Sequence, residues 1–391
     1  MMNEITIAGA GSGSSLHLTP EVKSAIEEAD AVAASPRFAG LIPSGKRFIE
    51  LGNFRETFGK IKDEPGKVLI LASGDPGLYS LLPLAKKFFG EVRVLPGISS
   101  LQLLCARACE SWGDAKILSG HGRALSAGTF LNVVERNRVT ILLCDRRISP
   151  QWACDKLKNF EAVEVFIGSN LGSAEEIFLH GSPSSFTEKI FPELSIMLVR
   201  NSKVYAPERL KLRDRDFIRE SGIVMTNESV RSVILQRLEL NESSVLWDIG
   251  AGSGSVSVGA AHENISLDVH AVERNHEAVN LIRRNAEKFH LHNIKIYKGM
   301  ASEVISELPR ASHVFIGGSG GELEKIFSLL PPARVVLACV TLETFNRAFD
   351  LMKDMANFEA VQIFSVRGEE LGGSLTLMKA NNPVMILSGE G

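Results

Sequence analysis

The feature that most constrains this 391-residue chain is an alternation of short β-type runs with helical segments, repeated in two series and interrupted once. Strand-like runs at residues 4–8, 68–72, 92–95, 139–144, 163–168 and 195–200 form the first series. A second follows at 245–249, 267–272, 294–297, 314–316 and 335–340. Such alternation predicts α/β domains with mainly parallel sheets. Between the series, residues 201–222 read NSKVYAPERLKLRDRDFIRESG, with mixed charges, one proline and little apolar periodicity, the pattern of a linker. The expected division is therefore 1–205 and 206–391. At roughly 100–200 residues per domain the length agrees, and each part can bury a core without disulfide or metal staples. The tail carries runs at 360–366, 375–379 and 384–387 whose links are too short for helices, which predicts an antiparallel edge.

Composition acts as a filter on function. The net charge is −3, from 43 basic and 46 acidic residues, with 22 of each up to Arg200 and 21 against 24 beyond it. Neither half concentrates the positive charge that a nucleic-acid backbone requires. No apolar run reaches the roughly 18–20 residues of a membrane span. The N-terminus passes directly into Ile5-Thr6-Ile7-Ala8 without a signal-peptide core. The expectation is a cytoplasmic small-molecule enzyme, with no nucleic acid and no membrane. Cys105, Cys109, Cys144, Cys154 and Cys339 are odd in number, form no C-x-x-C pair and lie mostly among apolar residues, so reduced core thiols are expected and no metal site.

The most informative segment is Val245-Leu246-Trp247-Asp248-Ile249-Gly250-Ala251-Gly252-Ser253-Gly254, a buried-type strand running into a glycine turn and a small-residue helix. The next strand ends in Glu273, where a carboxylate can accept both hydroxyls of a ribose. A dinucleotide fingerprint is not met, because Ser255 stands where the third glycine belongs and Gly254 comes one residue early. A carboxylate at Asp248 repels a pyrophosphate and suits the cationic groups of S-adenosylmethionine (SAM). A turn that only links strand to helix explains neither Asp248 nor Glu273. Gly317-Gly318-Ser319-Gly320-Gly321 matches the hydrolase G-x-S-x-G pattern, yet no histidine follows Ser319, so a loop beside substrate is expected instead. His290-x-His292 lacks a nearby third ligand and reads as a polar helix end.

In the first half, Gly9-Ala10-Gly11-Ser12-Gly13-Ser14 follows a strand, but the helix starts only at Thr19-Pro20-Glu21, with Thr19 as cap. Ser73-Gly74-Asp75-Pro76-Gly77-Leu78-Tyr79 and Pro96-Gly97-Ile98-Ser99-Ser100-Leu101-Gln102 mark two more strand-to-helix corners. Each has a plain structural reading, Asp75 as an N-cap and Ser99 with Gln102 as a capping box.

Taken together, Gly9 to Gly13, Ser73-Gly74-Asp75-Pro76, Pro96-Gly97-Ile98-Ser99-Ser100 and Ser119-Gly120-His121-Gly122-Arg123 resemble the tetrapyrrole (precorrin) methylases, in the branch acting on precorrin-6Y. The segments MTNESVRS, WDIGAGSGSVS, VERN, GMASEV, FIGGSGG and VTLET resemble that branch's usual fusion partner, a class I SAM-dependent methyltransferase. One departure is Ser12, where the family has proline. The resemblance implies an N-terminal tetrapyrrole-methylase fold of two α/β subdomains with SAM in a cleft between them, contacted by Ser73, Gly74, Asp75, Leu78, Ser99 and Ser100. It implies a C-terminal Rossmann-like domain with Thr226, Gly250, Ala251, Gly252, Ser253, Gly254, Glu273 and Ala301 as SAM contacts, hence two SAM sites per chain.

The family's chemistry is methylation of C5 by the first domain, then methylation of C15 and decarboxylation of the C12 acetate by the second, in cobalamin biosynthesis. His121 and Arg123 match its motif and are the candidate catalytic residues. The implied substrate is a polycarboxylate corrinoid, and self-association is implied as well. Arg107, Arg123, Arg146 and Arg147, with Arg209, Lys211, Arg213 and Arg215 in the linker, are candidate carboxylate partners, each with solvated surface charge as the plain reading. An RNA or protein methyltransferase with an N-terminal recognition domain, or a SAM-binding regulator without turnover, are the competing readings.

Overall fold

A computed structural model describes residues 4–120, 125–208, 211–372 and 375–391. The chain divides into two compact units, Met1–Leu125 with Asn137–Val204, and Ser126–Arg136 with Tyr205–Gly391.

The first unit opens with β1 (Glu4–Gly9), α1 (Pro20–Glu28), β2 (Ala31–Ala34), β3 (Arg47–Glu50), α2 (Phe54–Lys62), β4 (Lys67–Ala72), α3 (Leu82–Phe89) and β5 (Arg93–Leu95). These strands form a parallel sheet in the order β3-β2-β4-β1-β5. Strand β4 shows why it is buried on both faces: Leu69 and Leu71 pack with Val22, Ile26 and Phe38, while Val68 and Ile70 pack with Phe58 and Ile61. Thr19 caps α1 with Pro20 in the first turn, as the sequence predicts.

The chain continues through α4 (Ser100–Ala108), β6 (Lys116–Ser119), α5 (Ala127–Arg136), β7 (Val139–Leu143), α6 (Pro150–Leu157), β8 (Val163–Ser169), β9 (Ile177–Gly181) and β10 (Ser195–Asn201). A second sheet runs β6-β7-β10-β8-β9, and only β6 with β7 is parallel. This corrects the expectation of mainly parallel pairing. No α-helix separates β8, β9 and β10, so each returns antiparallel. Four short strands, β2, β3, β6 and β9, are absent from the sequence-based series. Strand β2 reads Ala-Val-Ala-Ala, fully buried but poor in β-branched residues.

The second unit contains α7 (Glu228–Leu238), β11 (Val245–Ile249), α8 (Ser255–Glu263), β12 (Asp268–Glu273), α9 (His276–Lys288), β13 (Ile294–Lys298), α10 (Ala301–Val304), β14 (His313–Ile316), α11 (Leu323–Ser328), β15 (Arg334–Cys339), α12 (Leu342–Met352), β16 (Ala356–Ile363), β17 (Val366–Gly372), β18 (Leu375–Ala380) and β19 (Val384–Glu390). Its sheet runs β13-β12-β11-β14-β15-β19-β16, parallel as far as β15. The expected antiparallel edge is present, with β19 pairing antiparallel to both β15 and β16. Strands β17 and β18 form a separate hairpin. Strand order reverses between β12-β11 and β14-β15, which creates a crevice beyond the C-terminal ends of β11 and β14.

Helix α5 belongs to this second unit through side-chain bonds. Asn132 Nδ2 donates to Asn293 Oδ1 at 2.8 Å and to the Ile265 carbonyl at 3.1 Å, and its Oδ1 accepts from the His292 amide at 2.8 Å. Among the described residues no helix is long and apolar enough to cross a membrane. All five cysteines are free and four are buried. Cys109 is the correction, exposed because it follows the last turn of α4 in a left-handed conformation.

Candidate functional site

In the first unit the loops at the C-terminal ends of β1, β4 and β5 face the second sheet across a cavity of about 600 Å³. Ser73, Gly74, Asp75, Leu78, Ser99 and Ser100 all stand in its wall. The loops approach closely enough to exclude side chains. A Cβ on Gly97 would lie 2.3 Å from the Gly74 carbonyl oxygen and 2.6 Å from Gly9 Cα. Gly11 and Gly74 exchange backbone hydrogen bonds, at 3.3 and 2.8 Å.

The polar residues of these corners have structural partners too. Asp75 does not cap a helix: its two carboxylate oxygens accept the amides of Gly77 and Gly97, at 2.8 and 3.1 Å, stapling the two corners together. The expected capping box of Ser99 and Gln102 is present at the start of α4. Ser12, where the resembling family has proline, hydrogen-bonds His17 Nδ1 through its Oγ at 2.7 Å.

Sequence reading passed over several residues of this wall. Arg37, Tyr79 and Asn170 are in it. Tyr79 and Asn170 both have φ of +48°, an uncommon conformation for such residues that recurs at functional sites. Tyr79 closes a corner quoted from the sequence, whereas Arg37 and Asn170 lie outside every quoted motif. Of the candidate arginines, Arg107 pairs with Glu176 at 2.7 Å and Arg146 with Glu193 at 2.9 Å. His121, Arg123 and Arg209 lie outside the described residues.

In the second unit a cavity of about 360 Å³ occupies the crevice where strand order reverses. Thr226, Gly250, Ala251, Gly252, Glu273 and Ala301 line it, together with the backbone of Gly317 to Gly320. Gly250 has φ of +71°, and a Cβ there would lie 2.4 Å from the Gly318 carbonyl oxygen. Glu273 accepts the Gly252 amide at 2.9 Å on one oxygen and the Asn275 amide at 2.8 Å on the other. A carboxylate so held at the strand end keeps free lone pairs for two vicinal hydroxyls. Close backbone approach beside an acidic strand end fits a SAM-sized adenosine ligand in the crevice.

Three expected contacts are placed elsewhere. Asp248 is fully buried and absent from the cavity wall. Its Oδ2 accepts both the amide of Ser257, at 2.9 Å, and its hydroxyl, at 2.5 Å. The reason lies at the start of α8, whose N-cap is Gly254 and has no side chain to offer, so the carboxylate of the preceding strand satisfies that turn. Burial pushes the Asp248 carboxyl up to about 6, although the Ser257 bonds oppose this. Ser253 is buried, and Gly254 turns the chain at φ of +75°. Both shape the loop rather than the cavity wall. Ser319 is in the wall.

His290 and His292 do not form a metal site among the described residues. Each meets Glu135 of α5 instead, at 2.6 and 2.8 Å.

The two units match two families. Residues 4–185 match the tetrapyrrole (corrin/porphyrin) methylases, and residues 217–390 match the precorrin methyltransferase domain. The protein named "Probable cobalt-precorrin-6B C(15)-methyltransferase (decarboxylating)" of Pyrobaculum calidifontis is 40% identical over 182 residues, covering 45% of this chain and 93% of that protein. The chain belongs to the precorrin methyltransferases. Another precorrin methyltransferase, the cobalt-precorrin-6B C(15)-methyltransferase (decarboxylating) of Salmonella typhimurium, is 35% identical over 184 residues, 45% of this chain and 94% of that one. A solved precorrin methyltransferase structure, precorrin-6y C5,15-methyltransferase from Geobacter metallireducens, is 32% identical with a TM-score of 0.45, covering 48% of this chain and all of that one. Membership in the precorrin methyltransferases agrees with the resemblance carried by the sequence motifs, and gives no support to an RNA or protein methyltransferase.

Proposed function

We propose that this chain uses SAM to methylate C5 and C15 of a precorrin-6 macrocycle and to decarboxylate its C12 acetate, giving precorrin-8 in cobalamin biosynthesis. The observation that carries this reading is the pair of cavities walled by glycine loops, one in each unit, in a chain whose two parts match two different methyltransferase families. Residues 1–205 are assigned to C5, and 206–391 to C15 and the decarboxylation. Two SAM molecules per chain follow from that assignment.

When bound, SAM supplies an electrophilic methyl group on a sulfonium. The chain's own residues bind and aim. Gly74 and Gly97 let two corners close on the ligand in the first cavity, Ser99 and Ser100 offer polar groups beside it, and Asp75 keeps the corners in register. Glu273 receives the ribose hydroxyls in the second cavity, where Gly250 and Gly318 bring two backbones together. Holding donor and acceptor carbon in line contributes about 7–11 kcal/mol without a strong base, so no nucleophile–base pair is required. His121 and Arg123 are assigned as the catalytic candidates for C5 methylation by their match to the family motif. A cytoplasmic, self-associating enzyme without a nucleic-acid partner completes the reading.

Incubating the purified chain with SAM and precorrin-6B tests it. The expected products are two transferred methyl groups and one CO2 per macrocycle. Absence of both methyl transfer and CO2 release would reject the assignment.

A further inference from the structure

Arg37 is the single Lys or Arg in the wall of the first cavity among the described residues. It sits in the short 3-10 turn Pro36–Leu41 that follows β2, and its guanidinium lies 4.4 Å above the ring of Phe38. Phe38 is buried, and its ring edge is 3.1 Å from where a Cβ on Gly13 would stand, so the ring is wedged against the loop after β1. A planar cation resting on a fixed aromatic face is partly oriented before any ligand arrives.

Three carboxylates share the wall, and none pairs with Arg37. Asp75 is occupied by two backbone amides and Glu193 by Arg146. Glu175 is not within ion-pair distance of Arg37. Arg37 is exposed and has no ion-pair partner among the described residues, so an anion entering the cavity can reach its guanidinium.

In the sheet β3-β2-β4-β1-β5, Arg37 follows β2, one strand spacing from the Ser73–Asp75 corner after β4 and three, or about 14 Å, from Ser99 and Ser100 after β5. The macrocycle of the proposed reaction carries several peripheral carboxylates, whereas SAM carries one. We propose that Arg37 is the substrate-positioning residue of the C5 site, its guanidinium taking a peripheral carboxylate of the macrocycle by a two-pronged contact. This rests on the assignment of C5 methylation to the first unit.

Steady-state kinetics of the full chain with SAM and the precorrin test it, using Arg37→Ala and Arg37→Lys, with SAM binding followed by calorimetry. The expected result for Arg37→Ala is at least a tenfold rise in KM for the macrocycle at C5, with kcat changed less than threefold, SAM affinity changed less than twofold and C15 methylation intact. Arg37→Lys should recover part of the loss in KM, since it restores charge without the planar fork. Unchanged SAM affinity in the first cavity shows that the first unit of the variant, which holds Arg37, is folded. An unchanged macrocycle KM overturns the inference, as does a loss confined to SAM affinity, which would place the SAM carboxylate on Arg37. Wild-type protein that fails to methylate C5 would reject the functional assignment itself, a result distinct from either.

Discussion

Gly250 and Gly318 face each other so closely that a Cβ on the first would lie 2.4 Å from the carbonyl oxygen of the second. Gly250 also has φ of +71°. Gly250→Ala therefore meets both a backbone clash and an unfavourable dihedral, at a cost of about 1–3 kcal/mol. The expected result is at least a tenfold loss of SAM affinity in the second cavity with the first unaffected, read by calorimetry. Gly97→Ala should do the reverse, because its Cβ would strike Gly74 and Gly9 in the first cavity.

Asp248 predicts a pH effect on stability. Its carboxyl is raised from 3.8 to about 6 by burial, so the folded chain holds this proton more tightly than the unfolded chain. Stability from this group is present below pH 3.8 and is lost as pH rises through about 6. The shift of about two pH units corresponds to about 3 kcal/mol. Comparing denaturation of the wild type and Asp248→Asn at pH 5 and pH 8 isolates the group: the difference between the two proteins should change with pH in the variant's favour at pH 8. A pH-independent difference would show that Asp248 does not titrate in this range.

Glu135 predicts the opposite sign. Burial raises its carboxyl, but the bonds to His292 and His290 outweigh burial and hold it below the usual value of 4.5. Its contribution is present above that value and is lost as pH falls through the lowered one. Glu135→Gln removes charge-assisted bonds of about 1.5–3 kcal/mol. Amide hydrogen exchange in α5 should then quicken at least tenfold at neutral pH, while exchange in β4 stays unchanged.

How far the sequence could be read depended on whether a feature was local. The strand-to-glycine corners were legible because a buried run followed by glycines announces itself, and six first-cavity residues and six second-cavity residues that the family resemblance implied line the walls. Asp248 was legible as special but not in its role. Its pattern suits a ligand cation, whereas its geometry answers the missing cap at Gly254, a need visible only once α8 is placed. The pairing of β10 between β7 and β8 depends on long-range contact, so the sequence suggested a parallel sheet where an antiparallel one forms. Arg37 and Asn132 are isolated polar residues without periodic context. One becomes informative beside the first cavity and the other beside Asn293.

Glu273 offers a separate test of the second cavity. Glu273→Ala removes the acceptor at the end of β12 and frees the Gly252 amide that it holds at 2.9 Å. SAM affinity in that cavity should fall at least tenfold, since a hydrogen bond to a charged group is worth about 1.5–3 kcal/mol. C15 methylation should fall with it while C5 methylation persists.

The most direct measurement of the central claim is calorimetric titration of the purified wild-type chain with SAM. Two unlike methyltransferase units, each with its own cavity, predict two SAM molecules bound per chain, and one per chain in either Gly97→Ala or Glu273→Ala. A single SAM bound per wild-type chain would contradict the account.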